Sequence, residues 1–115
     1  MALTIETNEQ GRALIAKVCA ESLETDNVAA FRSAMAPILD RSDRIVLDLS
    51  MIGFMDSTGL GSLLSCLRTV KGNGGSMTLA GLTPEVQQLF EMVLMDRVFD
   101  IYSGTADAVA GMKTA

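Results

Sequence analysis

The residues with chemical potential in this chain cluster in one stretch, Met51-Ile52-Gly53-Phe54-Met55-Asp56-Ser57-Thr58-Gly59-Leu60-Gly61. Two hydroxyls, Ser57 and Thr58, follow a carboxylate, Asp56, and an apolar run precedes all three. Such hydroxyls suit the role of phosphoryl acceptor better than that of nucleophile. No base accompanies them, and the 115-residue chain has no histidine, which removes Ser-His-Asp triads and most zinc sites together. Asp56, Ser57 and Thr58 are all good capping residues, so one of them is expected to begin a helix. The first-turn N–H groups of a helix lack intrahelical acceptors and lie at the positive end of its dipole, so a phosphate on Ser57 should be tolerated there. It would alter the surface and not the fold, by adding about two negative charges beside Asp56.

Met51, Ile52, Phe54 and Met55 are more apolar side chains than a short loop leaves in water without cause. Some return to the core. The others, with Met55 foremost, predict an adaptable docking surface. A docking patch beside a phosphorylatable hydroxyl makes a switch, binding when bare and repelling when modified. Taken alone, Asp56-Ser57-Thr58-Gly59 also reads as a plain helix cap with a tight turn. Gly59 and Gly61 each cost up to ~1 kcal/mol in a helix relative to alanine. They admit close approach of either a partner or a neighbouring strand.

Several elements must position this stretch. Leu3 and Ile5 alternate with polar neighbours, Asn8-Glu9-Gln10-Gly11 supplies turn chemistry, and Leu14, Ala16 and Val18 alternate again, which predicts an N-terminal β-hairpin. Asp26 is the expected cap of a helix whose apolar face is Val28, Phe31, Met35 and Ile38. Arg44 to Leu49 is short and almost continuously apolar, as a strand covered on both faces should be. Leu60, Leu63, Leu64, Leu67 and Val70 then mark a helical face that ends at Lys71 and the glycines after it. Met77 and Leu79 belong to another strand. Thr83-Pro84-Glu85 starts a helix with Val86, Leu89, Phe90 and Val93 inward, Val98 to Tyr102 is a last strand, and a terminal helix runs to about Met112. The order β-β-α-β-α-β-α-β-α predicts an α/β fold over residues 1–115 as one domain, with a mixed sheet in which an N-terminal hairpin joins parallel inner strands.

Composition narrows the function. Hydrophobic residues make up 49% and charged residues 20%, ordinary for a globular domain, and four Phe, one Tyr and no Trp predict an aliphatic core. The formal net charge of −5, with no visible basic cluster, disfavours nucleic acid and anionic membrane as partners. No run approaches the ~20 apolar residues of a membrane-spanning helix, and Met1 to Asn8 does not read as a signal peptide. Cys19 and Cys66 sit far apart in apolar segments without metal-ligand spacing, and neither cofactor nor metal is expected. These features point to the cytoplasm. The Lys71-Gly72-Asn73-Gly74-Gly75-Ser76 run follows a helix and precedes a strand, the reverse of a phosphate-binding loop. Acidic pairs such as Asp40/Asp43 and Asp96/Asp100 lack a matching base and read as solvated faces, and Met92, Leu94 and Met95 read as core, with an exposed Met95 able to widen the docking surface.

The run Phe54 to Gly61, following Asp48-Leu49-Ser50 at a strand end, resembles the signature of anti-sigma-factor antagonists, the stand-alone STAS domains of bacterial partner-switching systems. The likeness continues through Gly74-Gly75-Ser76-Met77 and the Thr83-Pro84 helix to Phe90, whereas the first half matches mainly in element order. The resemblance implies that Ser57 is phosphorylated by an anti-sigma factor that is also an ATP-dependent serine kinase, with Thr58 the weaker acceptor. It implies that the bare form binds this kinase and frees the sigma factor, and that a serine phosphatase restores it. Asp56, Gly59, Leu60 and Gly61 would present the acceptor, with Met55 and Thr58 beside it. Relatives carry a Leu-Asp pair before the first helix; here Leu23-Glu24 takes its place, with the acid kept and lengthened, and Glu24 is the corresponding contact. The alternative is a non-switching binding module of the same fold, such as a scaffold subunit of a stress-sensing assembly or a subunit of a lipid-transport complex. An intact Asp56-Ser57 after an apolar loop favours the switch, and the missing histidine weighs against an enzyme.

Overall fold

The computed structural model describes residues 2–112. Strands Thr4–Gln10 (β1) and Ala13–Cys19 (β2) form the antiparallel hairpin, in register from Thr4↔Cys19 to Gln10↔Ala13. Its loop is Gly11-Arg12, with Gly11 at φ +60°, so β1 continues through the Asn8-Glu9-Gln10 expected to turn. A two-residue hairpin loop favours positive φ, which glycine adopts without strain. After these come Ser22–Leu23 (β3), Val28–Arg41 (α1), Arg44–Asp48 (β4), Phe54–Met55 (β5) and Ser57–Gly72 (α2). The chain continues with Ser76–Ala80 (β6), Pro84–Met92 (α3), a 3-10 turn at Met95–Arg97, Ile101–Tyr102 (β7) and Thr105–Met112 (α4).

The main sheet has five strands in the order β1-β2-β4-β6-β7, with β1 antiparallel to β2 and every other pairing parallel. This is the expected mixed α/β architecture. Its central strand β4 alternates between two cores. Ile45 and Leu47 face the larger, where Phe31, Met35 and Ile38 of α1, Leu63, Leu67 and Val70 of α2, and Val86 and Phe90 of α3 are buried. Val46 faces a smaller layer made with Ala13, Ile15 and Ala80 and covered by Ala108 and Met112 of α4. Burial on both faces is why that strand reads as unbroken apolar sequence.

Several local expectations need correction. Strands β3 and β5, absent from the expected order, pair in parallel as a separate two-stranded sheet, Ser22↔Phe54 and Leu23↔Met55. Two residues carry no detectable period, so neither strand was legible. Helix α1 is preceded by Asn27 and not Asp26. The Asn27 amide is engaged locally, donating to the Ser22 carbonyl at 2.7 Å and accepting from the Glu24 N–H at 2.9 Å. The inward face of α3 stops at Phe90: Val93 is exposed, as are Met92 and Leu94, which had read as core. The last strand is only Ile101–Tyr102, because the chain first makes the 3-10 turn that buries Phe99 against Phe90, ring centroids 5.8 Å apart.

Candidate functional site

The site is the loop that leaves β4 and enters α2, beyond the carboxyl ends of the parallel strands, where open α/β sheets place ligands and partners. Asp48 begins it by accepting the Ser50 N–H at 2.9 Å. Ile52 is fully buried, and its carbonyl accepts the Thr83 hydroxyl at 2.8 Å, which ties the loop to the start of α3. The Gly53 N–H donates to the Glu21 carbonyl at 2.8 Å, and the β3–β5 pairing follows. Successive strand residues point to opposite sides. Met55, paired with the buried Leu23, therefore turns into the core, while Phe54, paired with Ser22, turns out.

This corrects the expected docking surface. Met55 is 5% exposed, whereas Phe54 is 55% and Met51 47% exposed. The large apolar side chains that this loop exposes are Phe54 and Met51. The alternation alone could have distinguished Phe54 from Met55 had the short strand been recognised.

Among the three capping residues it is Asp56 that caps α2. One carboxylate oxygen, Oδ1, accepts the Gly59 N–H at 2.8 Å. The other, Oδ2, accepts both the N–H and the hydroxyl of Thr25, each at 3.0 Å. The Gly59 amide foremost, with the Thr25 donors added, holds the Asp56 carboxyl below its ordinary value of 3.8, although desolvation pulls the other way more strongly than either Thr25 bond alone. The charged form is thus the one the site is built around. Thr25 was not among the residues expected here; its signal was a hydroxyl directly after Leu23-Glu24 in the loop before α1.

Ser57 is the first residue of α2 and is exposed, as is Thr58, whose Oγ1 lies 3.3 Å from that of Thr25. Asp56 takes the Gly59 N–H of the first turn, and the Ser57 side chain beside it is exposed to solvent. Gly59 and Gly61, left ambiguous by the sequence, separate cleanly. Gly59 is buried, and a Cβ there would strike the Leu23 carbonyl oxygen and lie 2.8 Å from its carbon, so this glycine serves the approach of β3. Gly61 is exposed with nothing within 4 Å of an added Cβ. Leu60 is half-buried against the core. Glu24 is half-buried in the β3–α1 loop, one residue before Thr25, so the clasp on Asp56 brings it to the same end of the molecule as Ser57.

Among the described residues no group of acidic, cysteine or histidine side chains could hold a metal ion, and no helix is long and apolar enough to cross a membrane. Cys66 is buried, which pushes its thiol up to about 11 although Arg32 pulls the other way.

The fold agrees with that of known proteins. The family model of the STAS domain matches residues 4–108. An anti-sigma F factor antagonist from Paenibacillus polymyxa is 29% identical over 115 residues, covering 98% of this chain and 97% of its own. The structure of an anti-sigma-factor antagonist (STAS) domain protein from Planctomyces limnophilus superposes with a TM-score of 0.86 at 18% identity, covering 95% of this chain and 97% of that one. The Bacillus cell fate determinant SpoIIAA, solved in its phosphorylated form, gives a TM-score of 0.70 at 16% identity over 96% of this chain and all of the other. The chain belongs to the STAS-domain family.

Proposed function

We propose that this chain is an anti-sigma-factor antagonist that acts as a single STAS domain in the cytoplasm. Unphosphorylated, it binds a cognate anti-sigma factor that is also a serine kinase; phosphorylation of Ser57 releases it, and a serine phosphatase returns it to the binding form. The observation that carries this reading is the placement of Ser57, exposed at the first position of α2 at the end of the molecule where Phe54 and Met51 are also exposed. The naming of a relative that spans nearly the whole chain supports the same conclusion.

The chemistry belongs to the kinase. The Ser57 oxygen forms a bond to the γ-phosphorus of ATP, ADP leaves, and the hydroxyl proton passes to a base of the kinase. This chain contributes an accessible acceptor on a fixed helix end. Phe54, Met51, Thr58, Gly61 and Glu24 form the docking face around it, and Asp56 and Gly59 keep it in shape from beneath. Phosphate converts the apolar contact into one that must desolvate and repel a dianion.

Mass spectrometry after incubation with the anti-sigma kinase and ATP is the deciding experiment. A single phosphate on Ser57 is expected. None, or phosphate at another residue, favours the non-switching module. In parallel, Ser57→Ala should bind the kinase without accepting phosphate, and Ser57→Asp should bind at least tenfold more weakly, about 1.4 kcal/mol.

A further inference from the structure

The β3–α1 loop and the start of α2 are joined through one carboxylate. Oδ2 of Asp56 holds the N–H and O–H of Thr25, 31 residues away in sequence, while Oδ1 holds the Gly59 N–H inside the helix. The Thr25 hydroxyl also lies 3.3 Å from the Thr58 hydroxyl on α2, and the Asp56 N–H donates to the Leu23 carbonyl at 3.4 Å. Beyond Thr25 the bonds of the loop are local: the Asn27 and Val28 amides donate to the Glu24 carbonyl at 3.0 and 2.9 Å, and the Glu24 N–H donates to Asn27. Thr25 is therefore the residue between β3 and α1 whose side chain joins the loop to the acceptor helix. It also fixes the carboxylate. With both oxygens engaged, Asp56 does not turn to the adjacent Ser57, whose hydroxyl has no protein partner among the described residues.

We propose that Thr25 is a positioning residue for phosphorylation of Ser57: through Asp56, its hydroxyl holds the Glu24 loop and the acceptor helix as one docking face and keeps the acceptor hydroxyl free. This rests on the reading of Ser57 as the acceptor. Thr25 is exposed, so its loss should leave the core intact. Valine matches threonine in shape and keeps the backbone N–H bond, so Thr25→Val removes only the hydroxyl; Thr25→Ser keeps it.

Two readouts test the proposal. The first needs no kinase: carbon-detected NMR titration of the Asp56 carboxyl. Thr25→Val should move its midpoint upward, because a donor to the charged form is lost, and Thr25→Ser should leave it near wild type. The second is steady-state phosphorylation of Ser57 by the anti-sigma kinase. Thr25→Val should lower kcat/KM about fivefold or more with an unchanged thermal midpoint, and Thr25→Ser should restore it. An unchanged Asp56 titration in Thr25→Val, or unchanged kinetics where wild type is phosphorylated, overturns the inference. A wild-type protein that takes no phosphate on Ser57 instead overturns the antagonist reading on which it rests.

Discussion

Two regions of this molecule leave large apolar side chains in water, and they are built differently. At the Ser57 end, Phe54 and Met51 sit on a frame held by the β3–β5 pairing, the Asp56 clasp and the Thr83–Ile52 hydrogen bond. At the far end of α3, nine residues or about 13 Å from Thr83, the chain exposes Met92, Val93, Leu94 and Val98. There the backbone turns through Leu94 at φ +62°, the left-handed conformation that glycine normally supplies after a helix. Exposure is similar at the two ends; organisation is not. A polar scaffold that fixes both a modifiable hydroxyl and its apolar neighbours is what distinguishes a docking face from a surface that is merely greasy.

The frame at the Ser57 end is most vulnerable at Gly59. Its Cβ position collides with the backbone of β3, so Gly59→Ala should destabilise by about 2–3 kcal/mol in urea unfolding despite alanine's better helix propensity. Gly61→Ala, in open space two residues on, should stabilise by about 0.5–1 kcal/mol. Similar losses at both positions would mean that the β3–β5 frame does not hold the site. The next effect concerns function. Phe54→Ala should weaken kinase binding about tenfold, or ~1.4 kcal/mol, in a calorimetric titration with little change in melting temperature. Met92→Ala should leave that affinity unchanged; equal losses would erase the distinction between the two ends. Leu94→Gly should then stabilise the fold by up to about 1 kcal/mol, because relief of the left-handed leucine outweighs the little burial that its half-exposed side chain loses, again without changing affinity.

The smallest effect is acid sensitivity. The folded-state pKa of Asp56 is depressed, so its contribution to stability is present above the unfolded value near 3.8 and is lost as pH falls through the lower folded value. Asp56→Asn should flatten the stability–pH curve in that window and leave its slope at neutral pH alone. An unchanged acid limb would show that the clasp does not favour the charged carboxylate.

How much of this was legible in the sequence depends on length scale. Helices α1, α2 and α3 declared themselves through repeated apolar spacing, and the central strand through its continuous Ile45-Val46-Leu47 run, because burial repeats over many residues. The motif around Ser57 was legible by resemblance, and its capping chemistry by residue type. What escaped depends on tertiary partners. Whether Met55 or Phe54 faces inward is decided by pairing with Leu23 and Ser22, and whether Gly59 or Gly61 is structural is decided by where the Leu23 carbonyl passes. The end of the α3 face was misplaced because Met92, Val93 and Leu94 carry the composition of a core without its packing. Thr25 was missed because its hydrogen bonds reach across 31 positions of chain.

The miniature sheet of Ser22–Leu23 and Phe54–Met55 stands apart from the five-stranded one. Its few hydrogen bonds are the ones expected to open first, by local fluctuations that leave Leu23 and Met55 anchored in the large core. A partner that grips the corner in its closed form would suppress that opening, so slowed amide exchange at Gly53 and Asp56 would report engagement from inside the protein, independently of any label on the surface.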